Sequence, residues 1–180
     1  MDREFMNIVL IGFRCTGKTS VGQALAGMLK RPFLDTDDLI ERRTGQSIDS
    51  MIAGYGWDHF RGIEREVVGE VSKKDHLIVA TGGGVVLDES NVIRLKRNGL
   101  VVWLKGSADV LKERMEQHQK RGKSRPSLTG TAPQDEIEEV LRIRAPLYER
   151  AGEITVDVDS LSVKDIAAKI MEQVQERQAG

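Results

Sequence analysis

Gly12-Phe13-Arg14-Cys15-Thr16-Gly17-Lys18-Thr19 is the stretch that decides the fold. It matches G-x-x-x-x-G-K-[ST], and its flanks supply what that pattern needs. An apolar run, Asn7 to Ile11, precedes it, and a segment with Val21, Leu25 and Leu29 at helical spacing follows. Strand, glycine loop and helix N-terminus together make an anion cradle, because the glycines let successive N–H groups turn inward and the helix dipole favours phosphate. Lys18 is expected to reach the β- and γ-phosphates of a nucleotide, and the Thr19 hydroxyl to ligate Mg²⁺. Gly12, Arg14, Cys15, Thr16, Gly17 and Ser20 complete the expected nucleotide-binding set. Cys15 stands where many such loops place a smaller residue, and is read as a tolerated small side chain.

Working outward, the strand-then-helix alternation recurs. Leu77 to Ala80 is a second buried run, ending in Gly82 to Gly84, before Asp88 caps a helix to about Arg97. Leu100 to Leu104 precedes Ser107, an N-cap for a helix from Ala108 to about Gln117. Phe33-Leu34 and Glu153 to Val158 are two further strands, the latter followed by a helix of about Val163 to Gln175. Five strands alternating with helices predict an α/β domain with a parallel sheet covered on both faces. Between Thr36 and Lys74 the pattern predicts three helical pieces, Asp38 to Arg43, Ile48 to Ala53 and about Trp57 to Lys73, broken by Gly45, Gly54 and Gly56. This segment, about 36–74, reads as an inserted helical subdomain. The polar, basic stretch of about 118–133 has no usable periodicity and reads as a mobile functional loop.

The whole chain of 180 residues suits one domain. Lys and Arg number 27 against 28 Asp and Glu, a net charge of −1, without the basic surplus of a nucleic-acid binder. The longest apolar run, Ile8 to Ile11, is far short of the roughly 20 residues that a bilayer span needs. No membrane partner is expected, and no signal-like N-terminus is evident, so a cytoplasmic location is expected. One cysteine rules out an intrachain disulfide and any multi-cysteine zinc site. No unexplained apolar helix face calls for a partner, so a monomer is expected. Acids such as Glu136, Glu138 and Glu139 are expected to offset the functional cations from elsewhere.

P-loops serve many reactions, so the partner residues must identify the acceptor. Asp35-Thr36-Asp37 follows the second strand, at the sheet edge where ligands collect. One carboxylate can serve Mg²⁺ while the other accepts a proton from an attacking hydroxyl; Asp37 could alternatively cap the next helix. Gly82 to Gly84 strip side chains from a length of backbone and so suit close approach by a ligand. Arg125-Pro126 ends the basic loop, where an arginine can neutralise charge on the transferring group. Phe60-Arg61 and Arg144-Ala145-Pro146-Leu147-Tyr148 supply two more arginines.

In this order the motifs resemble shikimate kinase, and they span nearly the whole chain. The resemblance implies a nucleoside-monophosphate-kinase type of P-loop domain, a three-layer α/β/α fold with a five-stranded parallel sheet in the order 2-3-1-4-5 and a lid of about 118–133. It also implies the reaction of ATP with shikimate to give ADP and 3-phosphoshikimate, on the route to chorismate and the aromatic amino acids. Lys18, Asp37 and Arg125 would then be catalytic, with Asp37 the candidate base on the shikimate hydroxyls. Thr19 and Asp35 would serve Mg²⁺. Arg61 and Arg144 would hold the carboxylate, with Gly82, Gly83 and Gly84 meeting shikimate. Arg114 would stack on adenine, with the loop near Asp159 to Leu161 as a further candidate for that pocket, and Arg125 would contact ATP from the lid. An arginine's planar fork suits a carboxylate, and Glu64, three residues after Arg61, is placed to orient it. Phe60 and Ile52 are candidate apolar walls. Trp57 stands where the family usually has an acid, the lid signature R-P-L-L reads Arg125-Pro126-Ser127-Leu128, and the stretch from Arg114 to Arg125 is longer than usual. The rival readings are a kinase of another small hydroxy acid, such as gluconate, and a noncatalytic nucleotide-binding protein of the same fold.

Overall fold

The elements follow in the order β1 (Asn7–Ile11), α1 (Lys18–Leu29), β2 (Phe33–Asp35), α2 (Thr36–Thr44), α3 (Ile48–Val71), β3 (Ile78–Ala80), α4 (Glu89–Arg97), β4 (Gly99–Lys105), α5 (Ala108–Lys120), α6 (Glu136–Ala151), β5 (Ile154–Asp157) and α7 (Val163–Ala179). They come from a computed structural model that describes residues 6–120, 127–128 and 136–179. The five strands form one parallel sheet in the order β2-β3-β1-β4-β5, as the resemblance implied. Side chains alternate across a strand, and β1 therefore feeds two cores. Val9 and Ile11 join Val79, Val101 and Trp103 under α3, α4 and α6, while Ile8 and Leu10 join Ile78, Val102 and Leu104 under α1 and α7. Burial on both faces explains why β1 reads as a continuous apolar run. Its polar first residue, Asn7, is buried too, but donates to the Lys74 carbonyl at 2.6 Å and accepts from the Leu77 N–H at 2.9 Å.

The inserted segment differs in detail from expectation. Gly54 does not break α3; the break is at Gly56 alone, whose φ of 83° and ψ of 172° turn the chain sharply within what is otherwise one helical element. The two arms of α3, on either side of that corner, face a common hollow. The cap of α2 is Asp35, whose carboxylate accepts from the Asp37 N–H at 3.0 Å, so Asp37 lies in the first turn instead of capping it. A 3₁₀ turn at Val85–Leu87, which short-range patterning did not signal, leads from the glycines into α4.

Asp88 caps α4 as expected, accepting from the Ser90 N–H at 2.9 Å, and also pairs with Arg65 at 2.6 Å. These bonds to Ser90 and Arg65 hold its carboxyl down at about 2. A pKa depressed in the folded state stabilises the fold above the unfolded value of about 3.9, and that contribution fades as pH falls towards about 2. Asp88→Ala is expected to cost about 0.5–2 kcal/mol in urea melts at pH 7. The gap from the wild-type protein should shrink as pH falls from about 4 to about 2. An equal gap at both ends of that window would contradict the capping role.

Candidate active site

The P-loop leaves the carboxyl end of β1 as a tight turn around its own lysine. Gly12 adopts φ 146°, and a Cβ there would lie 2.5 Å from the Leu104 carbonyl oxygen, so only glycine fits against β4. Lys18 folds inward, with Nζ donating to the Gly12 and Phe13 carbonyls at 2.8 and 2.9 Å. The Thr16 hydroxyl donates to the Phe13 carbonyl at 2.8 Å and fixes the inner turn. Thr19 and Ser20 are exposed on the first turn of α1, and Cys15 is half-buried. The Thr19 hydroxyl donates to Asp35 Oδ2 at 2.8 Å, so the two expected Mg²⁺ residues meet at the ends of β1 and β2. Hard oxygen donors at a partly open position are what Mg²⁺ takes when it keeps several waters.

Beside the loop lies a cavity of about 330 Å³, at the small end for ligand sites. Its walls bring together Asp37, Arg61, Gly82 to Gly84 and Arg144 from four separate parts of the chain. Arg61 donates to Glu64 Oε2 at 2.7 Å, the orientation expected from their spacing. Burial pushes the Glu64 carboxyl up, against the opposing pull of Arg61 and Arg144. Trp57 and Phe60 supply ring faces 5.3 and 5.0 Å from the Arg61 guanidinium carbon, so both rings pack against that arginine. Ile52 and Phe60 line the hollow as expected.

The three glycines also fit closely against protein neighbours. A Cβ on Gly82 would lie 2.7 Å from Asp37 Oδ1 and 3.1 Å from Glu64 Oε1. On Gly83 it would press the Arg14 backbone nitrogen at 3.3 Å, and on Gly84 it would collide with the Arg61 guanidinium, 2.6 Å from Cζ. Tyr148 of α6 secures this stretch by donating its hydroxyl to the Gly83 carbonyl. Burial pushes its phenol up to about 12, which keeps it a donor throughout the working pH range. No short-range pattern linked Tyr148 to a glycine 65 positions earlier.

Arg114 reaches from α5 to the carbonyls of Val158 at 2.8 Å and of Cys15 and Thr16 at 3.4 and 3.5 Å. It thus joins the P-loop to the segment around Asp159, and both expected adenine elements sit together. Asp159 in turn accepts from the Ser107 N–H at 2.9 Å. The Arg14 side chain points into the wall of the neighbouring cavity, where it pairs with Glu136. One expectation needs correction: Glu136, read as an acid that offsets the functional cations from elsewhere, is completely buried in that pair beside the cavity. Arg125 lies outside the described residues. Among the described residues, no helix is long and apolar enough to cross a membrane.

Comparison with known proteins agrees with this geometry. The shikimate kinase family model matches residues 14–175. The shikimate kinase of Thermodesulfovibrio yellowstonii is 41% identical over 167 residues, spanning 93% of this chain and 94% of that protein. That of Symbiobacterium thermophilum is 39% identical, spanning 96% and 98%. Among solved structures, the shikimate kinase from Acinetobacter baumannii in complex with shikimate superposes with a TM-score of 0.89 at 33% identity, covering 97% of this chain and 96% of that one. With a P-loop, a carboxylate and paired arginines arranged on this scaffold, and with relatives matching over nearly its full length, the chain belongs to the shikimate kinase family.

Proposed function

We propose that this chain transfers the γ-phosphoryl group of ATP to the 3-hydroxyl of shikimate, giving 3-phosphoshikimate and ADP, with the roles below for its residues. The observation that carries the assignment is the single cavity lined by Asp37, Arg61 and Arg144 next to the P-loop. A small polyhydroxy acid needs cations for its carboxylate and a base for one hydroxyl, and those groups lie on its walls. Asp37 takes the proton from the attacking hydroxyl. Arg61, braced by Glu64, and Arg144 hold the carboxylate and so fix which hydroxyl faces the phosphate loop. Lys18 and the P-loop backbone hold the β- and γ-phosphates, with Arg125 acting on the transferring group from the lid. Thr19 and Asp35 hold Mg²⁺, which when bound neutralises charge on the phosphates. Arg114 and the segment of Asp159 to Leu161 take the adenine side. We further assign the chain to the cytoplasm, as a monomeric single domain with its acceptor insertion at 36–74 and lid at 118–133.

A coupled assay of ADP release with shikimate, gluconate and quinate as acceptors tests the assignment, with turnover expected on shikimate. Turnover on gluconate but not on shikimate would overturn it. Arg144→Ala is expected to raise the shikimate KM about 10- to 100-fold with a smaller effect on kcat, since a hydrogen bond to a charged group contributes about 1.5–3 kcal/mol. An unchanged shikimate KM in that variant would remove Arg144 from the carboxylate site.

A further inference from the structure

Glu136 is the first residue of α6, the helix that also carries Arg144 and Tyr148. Its carboxylate is fully buried and divides its two oxygens between different parts of the site. Oε1 accepts from Nη2 of Arg14, a P-loop side chain that is itself only 8% exposed. Oε2 accepts from the Ser127 hydroxyl at 2.9 Å and from the Leu128 N–H at 2.8 Å. Arg14 and Leu128 both line the cavity that holds Asp37, Arg61 and Arg144. A buried charge is costly unless its partners are complete, so an arrangement that spends one here implies a gain in order elsewhere.

We propose that Glu136 is a positioning residue of the acceptor site. One oxygen fixes the Arg14 guanidinium and the other fixes the backbone at Ser127 and Leu128, so that a cation and an apolar face are both held in set places on the cavity wall. Ser127 is part of the device: in place of the apolar residue of the usual lid signature, it supplies a hydroxyl that the buried carboxylate uses. The inference rests on the cavity being the shikimate site. Without the carboxylate, Arg14 loses its anchor on the wall and Leu128 loses its backbone tether, so the bound acid is less well placed although the base and the carboxylate-binding arginines remain.

The test is a double-mutant cycle of Glu136→Gln and Arg14→Met. The readouts are shikimate KM, kcat, shikimate Kd from Trp57 fluorescence, and hydrogen exchange of the peptide that contains Leu128. Glu136→Gln is expected to raise the shikimate KM and Kd about tenfold, with kcat per folded molecule within about threefold of wild type, and to speed exchange at Leu128. Adding Glu136→Gln to Arg14→Met should cost clearly less than adding it to wild type, because the two groups act as a unit. A role in folding alone would lower the melting temperature while leaving the KM and Kd of the folded fraction at wild type, and that result overturns the proposal. So does strict additivity in the cycle. If Glu136→Gln does not fold, Arg14→Met and Ser127→Ala decide, and wild-type shikimate KM in both overturns it. Failure of the wild-type protein to turn over shikimate is a distinct result, and would instead defeat the acceptor assignment.

Discussion

Asp37→Asn is expected to lower kcat by about 10²- to 10⁴-fold, the range that a positioned general base supplies. The shikimate KM should move by only a few-fold. Asparagine keeps the side-chain length, which matters because Asp37 Oδ1 sits against Gly82, where even a methyl group would lie 2.7 Å away. The substitution therefore removes the proton acceptor without emptying the space or forcing a neighbour to move. Asp37 is in the first turn of α2 and does not provide its cap, which Asp35 does, so the helix keeps its N-terminal bond. Steady-state kinetics with saturating ATP and Mg²⁺, beside a melting curve to show an intact fold, separate chemistry from stability. A kcat within about tenfold of wild type would mean that another group, or solvent, accepts the proton.

Gly12→Ala is expected to be the most damaging single methyl group that can be added to the P-loop. The new Cβ would lie 2.5 Å from a backbone oxygen of β4, which has no rotamer by which to escape, and the residue would have to hold φ near 146°. Backbone strain of about 1–3 kcal/mol and overpacking of about 1–3 kcal/mol act together. At about 2–4 °C per kcal/mol for a chain of this size, the melting temperature should fall by about 5 to 20 °C. The damage also reaches nucleotide binding, because the Gly12 carbonyl is one of the two that receive Lys18 Nζ. ATP KM in the folded fraction is thus expected to rise. A melting temperature within about 2 °C of wild type would show that β4 and the loop can separate at no cost.

The alternation of apolar runs and helical periodicities made the sheet legible because a parallel strand buried on both faces, such as β1, has little freedom of composition. The phosphate loop and the Arg61–Glu64 pair were legible because their chemistry is local: a glycine pattern at a strand end, and two side chains one helical turn apart. Glu136 was not. Its partner Arg14 is 122 residues away, and its own surroundings, Glu136 to Glu139 at the start of an amphipathic helix, have the composition of a solvated face. Tyr148 and the Gly83 carbonyl were hidden for the same reason. Gly54 and Gly56 are indistinguishable by type, and only the backbone path, helical through one and extended to the left-handed side at the other, tells them apart. The glycines at 82–84 were read as space for a ligand, and they do line the cavity, where their missing side chains also leave room for Asp37, Arg14 and Arg61.

That last arrangement limits how such an enzyme can acquire a new acceptor. Gly82 is fitted to Asp37 and to Glu64, Gly83 to the phosphate loop, and Gly84 to Arg61, so three successive residues act as a gauge between halves of the site that are distant in sequence. The inserted helices are therefore not an interchangeable module. Transplanting α2 and α3 from a relative with different side chains at 37, 61 or 64 would set unfamiliar shapes against a loop cut for the old ones. A change of specificity on this scaffold has to carry residues 82–84 along with the insertion it borrows.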